Sequence, residues 1–452
     1  MNSVQQLALA LADACLAREA SLPGLMKSMS WVLGKRWPWI PALCQKILDQ
    51  TGPHFYHYSR HELAALILAE RGFMRAWGSA MEKPAIRRYC LDAPIPPQKP
   101  AWLAALGLPE LPNSASLAIW LQRTPGELAW FADQWRSDAH APDQLQHYRY
   151  RWLAKPSGGM RLIEMPKLRL RMIQRQILRH ILNRVPPHPA AHGFRPGYSC
   201  LTHASLHCGQ RVVLRMDLKD FFTSISAARI QALFSKLAYP PAVAGLLARL
   251  CTHRTPDQVL RQAQANPAIL SATSQQEKSR LYQALRSRHL PQGAPTSPAL
   301  ANLCAFRLDL RLAAMAKSLN ARYSRYADDL TFSGGKQLEQ ALRQLVPQIG
   351  AIALEEGFVI NFRKTRIMRQ GQRQRVTGMV VNAHPNLSRA DYDTLKAILT
   401  NCLRHGPASQ NHQQHANFRA FLQGKVAWAN MINPVRGARL AALLAQIVWP
   451  SE

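Results

Sequence analysis

Two acidic clusters in the chain have the residue types for metal-assisted phosphoryl chemistry. One is Asp328-Asp329 within "YSRYADDLTFSGG"; the other is Asp217, which closes the apolar run of "VVLRMDLKDFF". Neighbours on a strand point to opposite faces, so adjacent carboxylates in an apolar alternation bury at least one charge unless a cation compensates it. A tight hairpin turn at Asp328-Asp329 lets both face one cleft, and a second strand can bring Asp217 to them. Three carboxylates gathered this way repel one another until divalent cations neutralise them. Mg²⁺, which takes one or two protein carboxylates plus substrate phosphates, is the fitting guest. Two such ions stabilise both the attacking and the leaving oxygen of a phosphoryl transfer. Alone, an Asp-Asp pair is better read as an exposed acidic turn that caps something, so its company matters.

The segments that must position these carboxylates alternate in texture. "RVVLRMDLKDFF" and "RYSRYADDLTF" are β-rich and turn-bounded, and "SPALANLCAFRLDLRLAAMAKSL" between them predicts a long helix. Upstream, "YRYRWLAKPSGGMRLIEMP" reads as a hairpin about Ser157-Gly158-Gly159, followed by the basic amphipathic helix "KLRLRMIQRQILRHILNRV". Strands mixed irregularly with helices predict an α+β domain. Residues 252 to 287 read as a polar, partly helical insertion.

The N-terminal part of the chain differs. Eight of the eleven tryptophans precede residue 140, and Ser59 with Glu62 forms a capping box before an apolar run. "PNSASLAIWLQRTPGELAWFADQW" shows helical periodicity twice, and the proline-dense "DAPIPPQKPAW" favours an extended linker. The expected division is a helical domain over 1–95, a catalytic domain over 96–385 and a helical C-terminal part over 386–452.

Composition narrows the partners. The 452 residues hold 57 Lys and Arg against 26 Asp and Glu, a formal net charge of +31. Neutralisation of nucleic-acid phosphates is the large electrostatic sink for such a surplus. No run approaches the roughly eighteen apolar residues that span a bilayer, so no membrane partner is expected. Eight cysteines are scattered singly with no CxxC, and the N-terminus lacks a basic signal region. Reduced thiols and a cytoplasmic location are the expectation.

The order of motifs carries a resemblance. "AKPSGGMRLIEMPKLRLRMIQRQIL", "HGFRPGYSC", "MDLKDFFTSI", "LPQGAPTSPALANL", "YSRYADDLTFSG", "GFVINFRKTRI" and "RVTGMVVN" occur in sequence. Together they resemble the fingers and palm motifs of bacterial reverse transcriptases of the retron and group II intron type. "VTG" at Val376 to Gly378 favours the retron branch. "HASLH" matches only in part a box that begins with Asn in that branch, with His203 in the Asn position and Ala204 and His207 matching.

The resemblance implies a right-hand polymerase of fingers, palm and thumb behind the helical N-terminal domain. It implies that Asp217, Asp328 and Asp329 hold two Mg²⁺ ions, and that Lys364 protonates departing pyrophosphate. Lys155 and Arg161 clamp the dNTP triphosphate, a planar guanidinium suiting phosphate oxygens. Phe222 underlies the incoming sugar, and Gln292 and Gly293 approach the nascent base pair. Arg171 and Arg175 on the basic helix contact template backbone, while His207, Thr377 and Gly378 lie against RNA. Tryptophans near Lys35 and Arg36 are a further candidate RNA contact.

The implied activity is RNA-directed DNA synthesis that copies part of a structured non-coding RNA into single-stranded DNA. A branched RNA–DNA product, a role in anti-phage defence and an effector protein partner follow from the same resemblance. Two alternatives remain: a group II intron or other defence-associated reverse transcriptase, and an inactive RNA-binding scaffold. All three carboxylates being present counts against the scaffold.

Overall fold

The computed structural model describes residues 3–79, 81–92, 100–135, 141–154, 160–264 and 275–449. The chain packs as two compact units, Met1–Ala129 with Gln231–Leu247, and Trp130–Ile230 with Ala248–Glu452. This packing boundary falls elsewhere than the 95/96 division read from sequence. Most of the proline-dense stretch behind that division lies outside the described residues.

The first unit is helical, as its periodicity predicts. Helices Ser3–Leu16, Leu22–Leu33, Ile40–Thr51, Arg60–Leu68 and Arg71–Gly78 share one core around Leu7, Leu11, Leu25, Met29, Ile40 and Phe73. Ser3–Leu16 is apolar nearly all round and accordingly buried on most of its surface. The capping box forms: Ser59 Oγ accepts the Glu62 N–H at 3.2 Å, and Glu62 Oε2 accepts the Ser59 N–H at 2.7 Å. Trp39 sits in this core against Phe73, whereas Trp31 is exposed and Lys35 lies 4.4 Å from the Trp37 ring.

The second unit is α+β. Strands β1 (Tyr148–Ala154) and β2 (Met160–Pro166) form the expected antiparallel hairpin, with the Ser157-Gly158-Gly159 turn outside the described residues. Helix Leu168–His180 follows, burying Leu170, Ile173 and Ile177. The central sheet comprises β3 (Val212–Asp217), β4 (Arg322–Tyr326), β5 (Asp329–Gly334) and β6 (Arg366–Arg369) in the antiparallel order β4-β5-β3-β6. A small hairpin, β7 (Arg375–Val376) and β8 (Met379–Val380), comes next. The last helices, Arg389–His405, Phe418–Ile432 and Pro434–Ala445, pack around Leu399, Leu422 and Leu440.

Register fixes what each sheet face carries. Pairing of Arg215 with Thr331, Asp217 with Asp329, and Ser324 with Thr331 puts these polar residues on one face. Leu214, Met216, Leu330 and Phe332 alternate to the other face, with Tyr323 and Arg325 of β4. Helix Phe306–Ser318 contacts β4, and helix Lys336–Glu355 contacts β5.

Among the described residues no helix is long and apolar enough to cross a membrane. None of the eight cysteines is in a disulfide, and five are fully buried.

Candidate active site

The β4–β5 hairpin turns through Ala327 and Asp328. Ala327 has φ +56° while Asp328 does not share that sign, the pattern of a two-residue turn with a left-handed first position. Alanine there is strained, so its surroundings must hold it. Gly193 packs so close to the turn that a Cβ would meet the Ala327 nitrogen at 2.8 Å. Beneath it, the fully buried Arg325 donates to the Ala327 carbonyl at 3.0 Å and to Asn302 Oδ1 at 3.1 Å. Its other edge pairs bidentately with the equally buried Asp309, at 2.8 and 2.6 Å. Asn302 in turn donates to the Gly193 carbonyl at 2.8 Å, which closes the network.

Asp217 is brought to this turn by backbone bonds on both sides. The Leu218 N–H donates to the Asp328 carbonyl at 2.8 Å, and the Asn361 N–H donates to the Asp217 carbonyl at 2.7 Å. Burial, then repulsion from Asp217, raises the Asp328 pKa against the pull of Lys364 and Arg161. The Lys364 ammonium lies 3.1 and 3.2 Å from the two Asp217 carboxylate oxygens.

Asp329 lies opposite Asp217 in the β3–β5 register and carries a second partner. Its carboxylate is engaged by the Arg215 guanidinium, whose Nε lies 3.3 Å from Oδ1. Burial raises its pKa and Arg215 opposes the rise. Among the described residues no three His, Cys, Asp or Glu side chains converge as a metal-binding group. Asp217 and Asp328 repel one another across the cleft, and Asp329, which feels both carboxylates, is held by the Arg215 guanidinium. The donor set still fits a hard divalent cation: two mutually repelling carboxylates, one already holding an ammonium across both oxygens.

A family model described as "Reverse transcriptase (RNA-dependent DNA polymerase)" matches residues 153–382. Retron Mx65 reverse transcriptase of Myxococcus xanthus is 39% identical over 342 residues, 75% of this chain and 73% of that protein. Retron Mx162 reverse transcriptase of the same organism is 34% identical, covering 79% of this chain and 71% of its own length. The chain belongs to the retron reverse transcriptases. Retron Ec86 reverse transcriptase of Escherichia coli, 31% identical over 54% of this chain and 65% of its own, is a more distant relative. As a retron reverse transcriptase the chain is an RNA-directed DNA polymerase of α+β right-hand fold, with an RNA template and a DNA product.

The remaining predicted residues of this reverse transcriptase fall into place unevenly. Arg161 stands exposed on β2, with its charge felt at Asp328. Lys155 lies outside the described residues. Phe222 is half-buried, its ring 6.0 Å from exposed Phe194, while Phe221 belongs to the core. Arg171 and Arg175, with Arg179, recur every fourth residue on one exposed helix face. Thr377 and Gly378 form the β7–β8 turn with φ +44° and +86°, and the Thr377 hydroxyl donates to the Cys200 carbonyl at 3.1 Å.

One expectation needs correction. His207, expected against RNA, is fully buried, with Nδ1 2.7 Å from Ser333 Oγ and Nε2 2.8 Å from Ser324 Oγ. Burial pushes its pKa down to about 3, so it is a neutral strut under the sheet's polar face. His203, in the position of the family's Asn, is likewise buried and lies 3.2 Å from Thr331 Oγ1. Gly293 also admits a close approach by the chain itself: a Cβ there would lie 2.8 Å from the Glu164 carbonyl.

Sequence reasoning passed over Arg215, Arg325 and Asp309. A signal was available for two of them. Arg215 interrupts the apolar run before Asp217, and Asp309 is the single acid in an otherwise apolar or basic helix.

Proposed function

We propose that the chain copies part of a structured non-coding RNA into single-stranded DNA in a Mg²⁺-dependent reaction, giving an RNA-linked DNA that serves anti-phage defence. The observation that supports this most is the joining of Asp217 and Asp328 at the β3 end and the β4–β5 turn, with Lys364 on Asp217. Asp217 and Asp328 would hold the divalent cations, with Asp329 completing the charge cluster through Arg215. Bound there, paired cations supply charge stabilisation to the attacking and leaving oxygens.

The chain's own residues supply the rest. Arg161 binds triphosphate oxygens in bidentate fashion. Lys364, within reach of the same cleft, donates a proton to the leaving pyrophosphate. Phe222 supports the sugar and discriminates against a 2′-hydroxyl, and Gln292 with Gly293 borders the templating base pair. Arg171 and Arg175 line template phosphates, and the Thr377-Gly378 turn rests on RNA. In this reading residues 96–385 act as fingers and palm and 386–452 as thumb. The helical segment 1–95 stands outside this catalytic reading, and an effector protein is a further partner.

Sequencing of the nucleic acid that copurifies with the chain tests the reading. Single-stranded DNA joined to one RNA species is expected from the native chain, with the RNA alone from Asp328→Asn. Equal DNA from both chains, or no DNA from either, would contradict it.

A further inference from the structure

Away from the carboxylates, one buried ionic cluster has no part in the chemistry above. Glu164 of β2 is fully buried; Oε1 accepts the Thr255 hydroxyl at 2.7 Å, and Oε2 lies 2.8 Å from His289 Nε2. The other His289 nitrogen, Nδ1, lies 2.8 Å from the Ser287 carbonyl oxygen. The His289 charge and hydrogen bond hold Glu164 below its ordinary pKa against burial; facing that carboxylate and a carbonyl, both acceptors, His289 carries hydrogen on both ring nitrogens as an imidazolium. His289 also exchanges both backbone hydrogen bonds with His253, at 2.9 Å each, and His253 stacks on Tyr148 of β1.

Burying two charges is costly unless the geometry does something an apolar pair would not. Here the pair lies where two nucleotide-binding segments meet. The Glu164 N–H donates to the Gln292 carbonyl at 2.8 Å, and the Glu164 carbonyl fills the space a Gly293 side chain would need. Glu164 therefore grips the His289–Gly293 segment at both ends, by side chain at His289 and by backbone at Gln292 and Gly293. Arg161 precedes Glu164 on the same strand.

We propose that the Glu164–His289 pair positions the incoming nucleotide, holding the Gln292–Gly293 loop in fixed register with Arg161. The inference rests on the nucleotide-binding reading of Arg161 and Gln292. Glu164 and His289 touch no substrate; they act through the loop and strand they join. Loosening the pair lets the two halves of the nucleotide site drift apart, which weakens dNTP binding more than the chemical step.

The test is primer extension on poly(rA) with oligo(dT) at varied dTTP, using purified Glu164→Gln, Thr255→Val, Arg161→Ala and Ile349→Val chains. Thr255→Val keeps the buried volume and removes one hydrogen bond, so it carries the test if Glu164→Gln does not fold. Ile349, fully buried in helix Lys336–Glu355, controls for lost stability alone. The expected result is a dTTP KM raised on the order of fivefold in the Glu164 and Thr255 chains, with kcat within about twofold. An unchanged KM in both, or an equal rise in Ile349→Val at matched melting temperature, overturns the inference. A KM rise confined to Arg161→Ala overturns the positioning role alone, and no rise in Arg161→Ala overturns the reading beneath it.

Discussion

Replacing Arg325 by methionine tests how the catalytic turn is held. The side chain is fully buried and makes four polar contacts: two to Asp309, one to Asn302 and one to the Ala327 carbonyl. Methionine fills comparable space but leaves the Asp309 carboxylate buried with only the Tyr323 hydroxyl, at 2.8 Å, to compensate it. Removing one partner of a buried pair costs about 3–5 kcal/mol, because the other charge stays behind. Adding Asp309→Asn removes that charge while keeping an acceptor for Tyr323, so the double variant should recover at least half of the loss. Native-state hydrogen exchange of the β4 and β5 amides reads the local opening free energy without requiring the whole chain to unfold in one step. A loss under about 1 kcal/mol in Arg325→Met, or a double variant as unstable as the single, would refute the argument.

Three further outcomes follow. RNA affinity should fall steeply with rising salt, as expected of phosphate neutralisation by Arg171, Arg175 and their neighbours; a flat response in a filter-binding titration would contradict this. The Glu164–His289 pair should contribute most stability between the unfolded values of Glu164 and His289, 4.5 and 6.5. Burial opposes the charge on each group, but the partner's charge and hydrogen bond prevail, lowering Glu164 and raising His289. The contribution is lost as pH falls through the lowered Glu164 value or rises through the raised His289 value, which melting of native and His289→Gln chains against pH would show. His207→Ala should lower the melting temperature by several degrees without changing RNA affinity at a temperature where it is folded; weakened RNA binding there would restore a contact role.

What the sequence disclosed was local and ordered. The "YADD" turn, the strand ending at Asp217, the hairpin before the basic helix and the Ser59–Glu62 cap each depend on spacing within a short window, and each formed. Partners far apart in the chain were not legible. Arg215 finds Asp329, Glu164 finds His289 and Arg325 finds Asp309 only through sheet register and helix packing. The resemblance places His207 of "HASLH" against RNA, and nothing local in the sequence shows that it and His203 are buried. A sheet face lined by Ser324, Thr331 and Ser333 supplies the hydroxyls that let them be buried neutral. Asp329 is set opposite Asp217 by the β3–β5 register, in keeping with the acidic cluster the motif implies, but its bond to Arg215 was not legible in the sequence.

The central claim is that Asp217 and Asp328 together make the polymerising centre. Incorporation of labelled dNTP on an RNA template, with Mg²⁺, by the native chain and by Asp217→Asn and Asp328→Asn at equal RNA occupancy, tests it most directly. DNA synthesis by the native chain and a loss of at least about a thousandfold in either variant are expected. Synthesis persisting near the native rate in either one would contradict it.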